Sequence, residues 1–485
     1  MPERPNILLI TCDQLRGDSL GCYGHPSVET PHLDQLANEG IRFTRAYTAC
    51  PSCIPARAGI LTGMSQRRHG RVGYKDEVPF DYPYTLPGEL ARAGYHTQGI
   101  GKMHFYPARN LCGFHHVVLH DGYLHCERKA RKNYDLADDY LIWLRERIGN
   151  DADLILHGLN ANSWVARPWP YREELHPTTW ATTQAIDFLR RRDPTKPFFM
   201  WLSYVRPHAP LDPPQVYFDQ YIGQDFPAVP CGDWADGESP AMAVDSRAGI
   251  IGERQLHRAR AAYYAHITHI DHQIGRLMEY LGEYEVRDDT MIVFTSDHGE
   301  MLGDHNLFRK ALPYEGSARI PLLVKPARGG AFTAGATVDA PVELRDLMPT
   351  ILEAAGVAIP PTVDGLSLLP FVRGEGAGWR EYIHGEHAND LEANHYITTG
   401  KEKYIWFSGD GREQFFDLAE DPHECRNLIA CASRQGDVQR LRGLLIKELA
   451  GREEGFTDGT RLIPGRAPKR LLNNVGEPSR NGGGW

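Results

Sequence analysis

Short runs of mostly apolar residues constrain the fold of this chain most strongly. Three of them are residues 6–11 (NILLIT), 198–203 (FFMWLS) and 290–296 (TMIVFTS). A continuous apolar run is typical of a strand that is buried on both faces of a sheet. Polar residues follow each run, and open α/β sheets bind their ligands beyond the carboxyl ends of central strands. These strand ends are therefore the first candidates for a functional site.

Helical patterns alternate with these strands. Thr30 and Pro31 are predicted to cap and open a helix over residues 31–37, and Gly94 is predicted to close another over 85–94. Alternating strands and helices predict an α/β fold in which a large, mostly parallel sheet is sandwiched between helices. Further elements are predicted over 41–44, 95–100 and 320–324 as strands and over 255–282 as a long helix.

The sequence pattern changes after about residue 375. Short apolar segments separated by turn residues predict an antiparallel meander, and residues 435–450 have the pattern of an amphipathic helix. We therefore predict a catalytic domain over 1–375 and a smaller α+β subdomain over 376–485, built on an antiparallel sheet with a helix and a loose tail at 481–485. The predicted strands of the meander are 396–399, 403–407 and 414–418.

Composition excludes several classes of protein. The 485 residues carry a net charge of −10, which argues against a nucleic-acid partner. No apolar run approaches the roughly 18–20 residues of a membrane span. The N-terminus runs directly into a strand without a cleavage-type site, which predicts a cytoplasmic protein, although a chain trimmed of its leader would begin in the same way. A homo-oligomer is compatible with these features.

A specific motif occupies residues 53–63, CIPARAGILTG. It resembles the signature of the formylglycine-dependent (type I) sulfatases, members of the alkaline phosphatase superfamily. The resemblance implies that a formylglycine-generating enzyme recognises Pro55 and Arg57 and oxidises Cys53 to an aldehyde, 3-oxoalanine. The aldehyde would hydrate to a geminal diol, whose hydroxyls attack sulfur and later expel sulfate. Arg57 would support this diol, as a charged donor beside an oxyanion.

The same segment allows a second interpretation. Cys50 and Cys53 form a C-x-x-C pair, which is found in thioredoxin-like redox proteins and as half of a zinc site. The nine cysteines provide no second pair at zinc-site spacing and are too scattered for a disulfide scaffold. A redox function also leaves Arg57 and the L-T-G sequence unexplained.

The resemblance further implies one divalent cation. In the family two polar pairs at strand ends hold the metal together with the formylglycine, and Asp13-Gln14 and Asp297-His298 match these positions. The family commonly has Asp-Asp and Asp-Asn there, so this chain departs at Gln14 and His298. An amide oxygen still suits a hard cation, and histidine adds a nitrogen ligand. Calcium is favoured, with manganese and magnesium as alternatives; the other explanation is that both aspartates only cap helices.

Four further residues match cationic and acid–base positions of the family. Lys102 and His104 lie in a G-K-x-H element, His208 in a P-H-x-P loop, and Lys310 after the second metal pair. By resemblance, Lys102 and Lys310 would neutralise the sulfate, and His104 would accept a proton as the sulfated diol collapses. His208 would lie near the leaving-group oxygen. The pKa of histidine lies near neutrality, which suits this side chain to such proton transfer.

We therefore predict a sulfatase that hydrolyses an organic sulfate monoester of a sugar, choline or a phenol. The nearest alternative is a phosphonate monoester or phosphodiester hydrolase of the same superfamily. Those enzymes can carry Asp-Gln and Asp-His pairs but generally lack the lysine and histidine of G-K-x-H, so Lys102 and His104 favour sulfate. A non-catalytic binding protein on the same fold is the third alternative.

The substrate itself is not readable from the sequence. Residues 105–176 have weak periodicity and are interpreted as a substrate-facing insertion. Aromatic residues between Trp164 and Trp180 are predicted to stack on a sugar or to cage a quaternary amine. The other residues predicted near substrate are His115, His116, His120 and His125, as a polar pocket rim, and Asp304 and His305, as direct contacts.

Overall fold

The structure, a computed structural model, describes residues 4–121, 138–154, 156–329, 332–389 and 392–475. Its largest feature is a nine-stranded sheet with the strand order β4-β3-β5-β1-β6-β7-β2-β8, in which β9 also pairs with β2. All neighbouring pairs are parallel except those of β7 with β6 and β2. The strands are β1 Asn6–Asp13, β2 Ile41–Tyr47, β3 His96–Gly101, β4 His116–Leu119, β5 Phe198–Pro207, β6 Thr290–Ser296, β7 Arg319–Lys325, β8 Ala336–Val338 and β9 Val342–Glu343.

Helices cover both faces of this sheet, as the sequence predicts. The α-helices among the described residues are Pro31–Glu39, Cys53–Thr62, Gln66–His69, Leu86–Arg92, Asp139–Ile148, Pro177–Arg191, Gln215–Ile222, Glu253–Glu283, Glu315–Ala318, Leu347–Ala354, Leu369–Val372 and Gln435–Leu449. Single 3₁₀ turns lie at Gly21–Tyr23, Glu173–Leu175, Asp304–Asn306, Leu344–Asp346 and Ala432–Arg434. No helix in the described ranges is long and apolar enough to cross a membrane.

The central strand β1 explains why its sequence is continuously apolar. Leu8 and Ile10 belong to a hydrophobic cluster on one face of the sheet, with the Glu253–Glu283 helix. Ile7 and Leu9 belong to a second cluster on the other face, with the Cys53–Thr62 helix. Because successive side chains of a strand point to opposite faces, burial on both faces requires an apolar residue at every position.

The second sheet is antiparallel and follows the order β10-β11-β12-β13. Its strands are β10 Ile383–His387, β11 Asn394–Thr398, β12 Glu402–Phe407 and β13 Glu413–Asp417; β10 was not predicted. The Gln435–Leu449 helix packs against one face of this sheet through Leu441 and Leu445. The other face of this antiparallel sheet packs in one hydrophobic cluster with Tyr47 of β2 and with Tyr314. The boundary at residue 375 stays a prediction.

The aromatic residues predicted to meet substrate lie mostly in the core. Trp169 is 5 % exposed and Trp180 is 1 % exposed, and both belong to the hydrophobic cluster under the Glu253–Glu283 helix. That prediction is therefore wrong for these two residues, because their rings are needed to fill the space between helices and sheet. Trp164 is the exception, since it is half-buried beside Phe308, with ring centroids 6.5 Å apart.

The predicted histidine rim also separates into different environments. His115 and His116 are exposed near the edge strand β4, whereas His120 is buried and its Nδ1 lies 3.2 Å from Asp138. His125 and the tail at 481–485 lie outside the described residues. The interpretation of 105–176 as an insertion is also incomplete, because β4 of this segment extends the main sheet.

Candidate active site and metal centre

Four neighbouring strands of the main sheet end at one point. In the register of the sheet, Gly101 of β3 pairs with Ser203 of β5, which in turn pairs with Thr11 of β1. Thr11 pairs with Thr295 of β6. The residues that follow these positions, Lys102, His208, Asp13 and Asp297, therefore meet at the carboxyl edge of the sheet, although they are far apart in sequence.

Cys53 faces this edge from the first position of the Cys53–Thr62 helix. Its Sγ lies 3.3 Å from Nε2 of His298 and 3.8 Å from Oδ1 of Asp13, and the residue is 2 % exposed. Burial and Asp13 raise the pKa of the Cys53 thiol, but Lys102, Lys310 and His298 outweigh them and hold it well below its usual range. The cysteine therefore lies in a strongly cationic pocket.

The donor set at this point fits a divalent cation. Ligand atoms of Asp13, Cys53, Asp297 and His298 all lie within 4.8 Å of one another, and all four residues are buried. Nδ1 of His298 donates to the carbonyl of Gly299 over 3.0 Å, which leaves Nε2 facing the two carboxylates. A histidine that ligates a metal commonly donates its other ring N–H to a carbonyl in this way.

Arg57 and Lys102 compensate the two buried carboxylates. Arg57 contacts Oδ2 of Asp297 through Nε at 3.1 Å and Nη2 at 3.0 Å, while Lys102 pairs with Asp13. Burial alone raises the pKa of Asp13, but the charges of Lys102 and Lys310 hold it well below its usual range. Burial, followed by the charge of Asp13, raises the pKa of Asp297.

The loop after β3 has a shape that only glycine permits at its start. Gly101 has φ of +88°, and a Cβ there would lie 2.1 Å from the carbonyl oxygen of Ser203. Buried Asp121 then accepts the backbone N–H groups of Met103 and His104, at 2.9 and 2.8 Å. These contacts fix where the Lys102 and His104 side chains emerge.

The His104 ring lies between a carboxylate and the cysteine. Its Nε2 is 3.6 Å from Oδ1 of Asp76. Burial lowers the pKa of His104, but hydrogen bonds to Asp76 and Cys53 outweigh it and raise the pKa above the usual value. A histidine with a raised pKa is a better proton acceptor.

His208 and Lys310 form a second pair at the same edge. Nδ1 of His208 donates to the carbonyl of Ala209 over 2.8 Å, so Nε2 accepts from the Lys310 ammonium at 2.7 Å. Burial and then the charge of Lys310 lower the pKa of His208 well below its usual range, which keeps this imidazole neutral. Lys310 also donates to Oε1 of Gln14 over 2.8 Å.

Comparison with known proteins agrees with this geometry. The family model described as "Sulfatase" matches residues 5–357, well over half of the chain. The chain belongs to the sulfatase family. It is 54 % identical over 470 residues to the arylsulfatase of Clostridium perfringens, an alignment that covers 95 % of this chain and 98 % of that protein. Members of this family hydrolyse sulfate esters, so this sulfatase is a sulfuric ester hydrolase.

Two further comparisons extend over almost the whole sulfatase. It is 27 % identical to the N-acetylglucosamine-6-O-sulfatase of Bacteroides thetaiotaomicron, with 97 % of this chain and 91 % of that protein aligned. The crystal structure of the phosphonate monoester hydrolase of Agrobacterium radiobacter superposes with a TM-score of 0.78 at 27 % identity, covering 92 % and 95 % of the two chains. These likenesses confirm the predicted α/β fold. Residues 303–450 match the model for the C-terminal part of N-sulphoglucosamine sulphohydrolase.

Glu300 is a residue of the sulfatase site that the sequence did not indicate. It is 6 % exposed, and its carboxylate accepts from Nε2 of Gln14 and from the backbone N–H groups of Leu302 and Arg309. A carboxylate only accepts hydrogen bonds, so the NH₂ group of Gln14 must face Glu300 and the amide oxygen of Gln14 must point away from it. The amide oxygen therefore faces Lys310. The only signal in the sequence was the position of Glu300 soon after a strand end.

We expect Glu300→Gln to lower kcat/KM for an aryl sulfate by about 10- to 100-fold, as for other residues that orient ligands. The new amide can turn its NH₂ toward Gln14, which would then present its own NH₂ to Lys310. The double variant Gln14→Glu/Glu300→Gln restores an acceptor oxygen facing Lys310, so it should recover part of the loss. Unchanged activity in Glu300→Gln, or losses that simply add in the double variant, would contradict this orientation.

Two of the predicted substrate contacts have other partners in the structure. Asp304 pairs with Nη2 of Arg16 at 2.7 Å. Nδ1 of His305 accepts the N–H of Gly232 over 3.0 Å, and its ring packs on Trp234 with centroids 4.6 Å apart. Both residues are buried and use their polar atoms internally, so the structure does not bring them to the site as predicted.

Proposed function

We propose that this sulfatase cleaves its substrate with a formylglycine made from Cys53. The observation that carries the proposal is the position of Sγ, 3.3 Å from Nε2 of His298 and 3.8 Å from Oδ1 of Asp13. In the converted residue, this position belongs to a hydroxyl oxygen of the hydrated aldehyde. A redox pair with Cys50 would not need two carboxylates and three cationic side chains around one thiol.

One divalent cation is proposed to bind Asp13, Asp297 and His298 together with residue 53. Gln14 is proposed as a further ligand through Oε1, which competes with its present hydrogen bond to Lys310. Hard oxygen donors favour calcium, and the imidazole keeps manganese and magnesium as alternatives. When bound, the cation supplies positive charge to the nucleophilic oxygen and to the sulfuryl group.

Hydrolysis is proposed to proceed in two steps, a displacement at sulfur by residue 53 and an elimination of sulfate from residue 53. One hydroxyl of the diol passes its proton to Asp13, which accepts from this position, and attacks sulfur, and the bond between sulfur and the ester oxygen breaks. Lys310, which hydrogen-bonds to His208, supplies the proton that the leaving alcohol needs. Neutral His208 can then orient the lysine without adding a second charge.

The second step, the elimination, regenerates the aldehyde. His104 accepts the proton of the remaining hydroxyl, the C=O bond re-forms, and the bond from carbon to the sulfate oxygen breaks. Inorganic sulfate leaves, and water adds to the aldehyde to restore the diol. The raised pKa of His104 suits this proton transfer, and Asp76 would stabilise the imidazolium that results.

Aryl sulfates and sulfated sugars are the proposed substrates. The names of the relatives support both classes, since one is an arylsulfatase and another an N-acetylglucosamine-6-O-sulfatase. Trp164 and Phe308 line a cavity together with Gln14, so a ring bound there would pack against aromatic side chains. We also propose that residues 1–375 form the catalytic domain and 376–485 a subdomain that supports it.

A second candidate activity is hydrolysis of phosphonate monoesters. The superposition on a phosphonate monoester hydrolase, with a TM-score of 0.78, favours it, as do the polar pairs that contain Gln14 and His298. Lys102 and His104 argue for sulfate as the preferred substrate. The two activities are expected to depend to different extents on the cationic side chains of the site.

Lys102→Ala separates the two activities. Because Lys102 stabilises charge that develops on the sulfuryl oxygens, we expect kcat for an aryl sulfate to fall by about 10²–10³-fold, as for loss of one oxyanion donor. An aryl phosphonate should be affected much less. The measurement is kcat/KM for both substrates in wild type, Lys102→Ala and the control Lys196→Ala, whose side chain is 57 % exposed. A wild type that prefers the phosphonate, or equal losses on both substrates, would favour the second candidate.

A further inference from the structure

The C-terminal sheet contains a buried histidine. His387 is the last residue of β10 and is 3 % exposed. Neither Nδ1 nor Nε2 has a hydrogen-bond partner among the described residues. Buried polar groups are nearly always hydrogen-bonded, because leaving them without a partner costs free energy. An imidazole in this state is therefore a candidate for contact with a ligand.

Arg470 lies near the backbone that follows this histidine. The N–H of Val72 donates to the carbonyl of Arg470 over 3.1 Å, and the N–H of Ala388, next to His387, donates to the carbonyl of Val72 over 2.7 Å. A Cβ on the adjacent Gly73 would lie 3.2 Å from Cγ of Arg470. The chain then reaches Tyr74, whose ring packs edge-on against His104 with centroids 6.0 Å apart.

Arg247 is hydrogen-bonded to the segment that carries Lys310. Its carbonyl accepts the N–H of Phe308 over 2.8 Å, two residues before Lys310, and the residue is exposed. Its guanidinium has no ion-pair partner in the part of the chain that the structure describes. Arg247 and Arg470 thus contact segments that lead to Lys310 and His104, and the charges of both arginines act on His387.

The charges around His387 are mainly positive. Burial, followed by the charges of Arg247, Arg470 and His298, lowers the pKa of His387 to about 3. The ring is therefore a neutral N–H donor at neutral pH. Glu386 opposes this effect, but Arg452 already holds its carboxylate through contacts of 2.8 and 3.0 Å. Two arginines and an imidazole donor match the oxygens of a carboxylate or sulfate.

We propose that Arg247, His387 and Arg470 form a second anion subsite, which binds a carboxylate or an additional sulfate of a sulfated sugar. This inference rests on the proposed function, because it places the scissile sulfate at Cys53 and the second anion toward the C-terminal sheet. The preferred substrate would then be a sugar with at least two anionic groups. Both anion types use the same donors, so the assay must compare them.

The test compares four substrates at low ionic strength. They are 4-nitrophenyl sulfate, N-acetylglucosamine 6-sulfate, D-glucosamine-2-N,6-O-disulfate and a monosulfated uronic acid. We expect wild type to turn over at least one of the doubly anionic sugars with kcat/KM at least about tenfold above the monosulfated sugar, the worth of one hydrogen bond to a charged group. This preference should weaken in high salt, because exposed arginines are screened. The better of the two doubly anionic sugars identifies the second anion as sulfate or carboxylate.

Arg247→Gln, Arg470→Gln and His387→Asn should each remove most of this preference, mainly through a higher KM, because the subsite binds ground state and transition state alike. Turnover of 4-nitrophenyl sulfate should stay within about twofold of the wild-type value, because this substrate has no second anion to accept a hydrogen bond from the subsite. Arg466→Gln is the matched control, because it removes an exposed arginine from the same segment as Arg470. Thermal unfolding shows whether His387→Asn remains folded, and the two arginine variants test the subsite independently.

The outcomes separate the two proposals. Equal kcat/KM for singly and doubly anionic sugars, or equal losses on 4-nitrophenyl sulfate and on the preferred sugar in both arginine variants, would overturn the subsite. Neither outcome affects the assignment of Cys53. Conversely, a wild type with formylglycine absent and full activity on 4-nitrophenyl sulfate would overturn the proposed mechanism without testing this preference.

Discussion

Replacement of Cys53 by alanine is expected to abolish hydrolysis of sulfate esters, with kcat lower by at least about 10⁴-fold, as for removal of other covalent nucleophiles. The protein should stay folded, because the side chain is small and lies among polar groups rather than in the hydrophobic core. Activity retained in Cys53→Ala would contradict the mechanism directly.

Mass spectrometry of the peptide that contains Cys53 provides the direct measurement. Conversion to formylglycine lowers its mass by about 18 Da, whereas a disulfide with Cys50 lowers the pair by about 2 Da. Cys50→Ala is the matched control, because a redox pair needs both thiols and the formylglycine mechanism needs only one.

Cys53→Ser adds a sharper distinction. A serine hydroxyl can attack sulfur, but it has no second hydroxyl whose proton loss expels the sulfate. The variant should therefore accumulate a covalent adduct of about 80 Da after incubation with an aryl sulfate, as expected when the second step of covalent catalysis is blocked. An unmodified Cys53→Ser protein with steady turnover would show that the diol is not needed.

Asp297→Asn is expected to have the second largest effect. Loss of this carboxylate should release the divalent cation and remove several kcal/mol of stabilisation from the transition state, which corresponds to about 10³-fold or more in kcat. Asparagine is preferred to alanine because Arg57, fully buried, makes two contacts to Asp297 and would otherwise lose both.

Metal analysis of the purified variant is the primary readout. Wild type should contain about one ion per chain bound by Asp13, Cys53, Asp297 and His298, and Asp297→Asn should contain much less. Asp304→Asn is the control, because it alters a buried carboxylate that pairs with Arg16 outside the cluster. Full occupancy in Asp297→Asn would reject the ligand assignment. Binding should also weaken at acid pH, because His298 must be neutral to ligate.

Much of the fold followed from local patterns. The apolar runs predicted β1, β5 and β6 because burial on both faces leaves no place for a polar residue. The predicted helix over 255–282 is observed as Glu253–Glu283, since a long amphipathic stripe has one stable way to pack on a sheet. The strand β10 was missed because its sequence, which ends in Gly385-Glu386-His387, lacks the alternation of a half-buried strand.

The sequence by itself determined which residues could carry the chemistry, because Cys53 lies in a specific motif and Asp13, Lys102, His208 and Asp297 follow strand ends. Tertiary structure alone decided how their charges balance and which neighbours complete the site. Glu300 orients Gln14 through a contact between segments distant in the chain. Trp169 and Trp180, which composition suggested for substrate, fill the core instead. Local patterns encode burial and strand ends, whereas hydrogen-bond partners and electrostatic neighbours arise only when the chain folds.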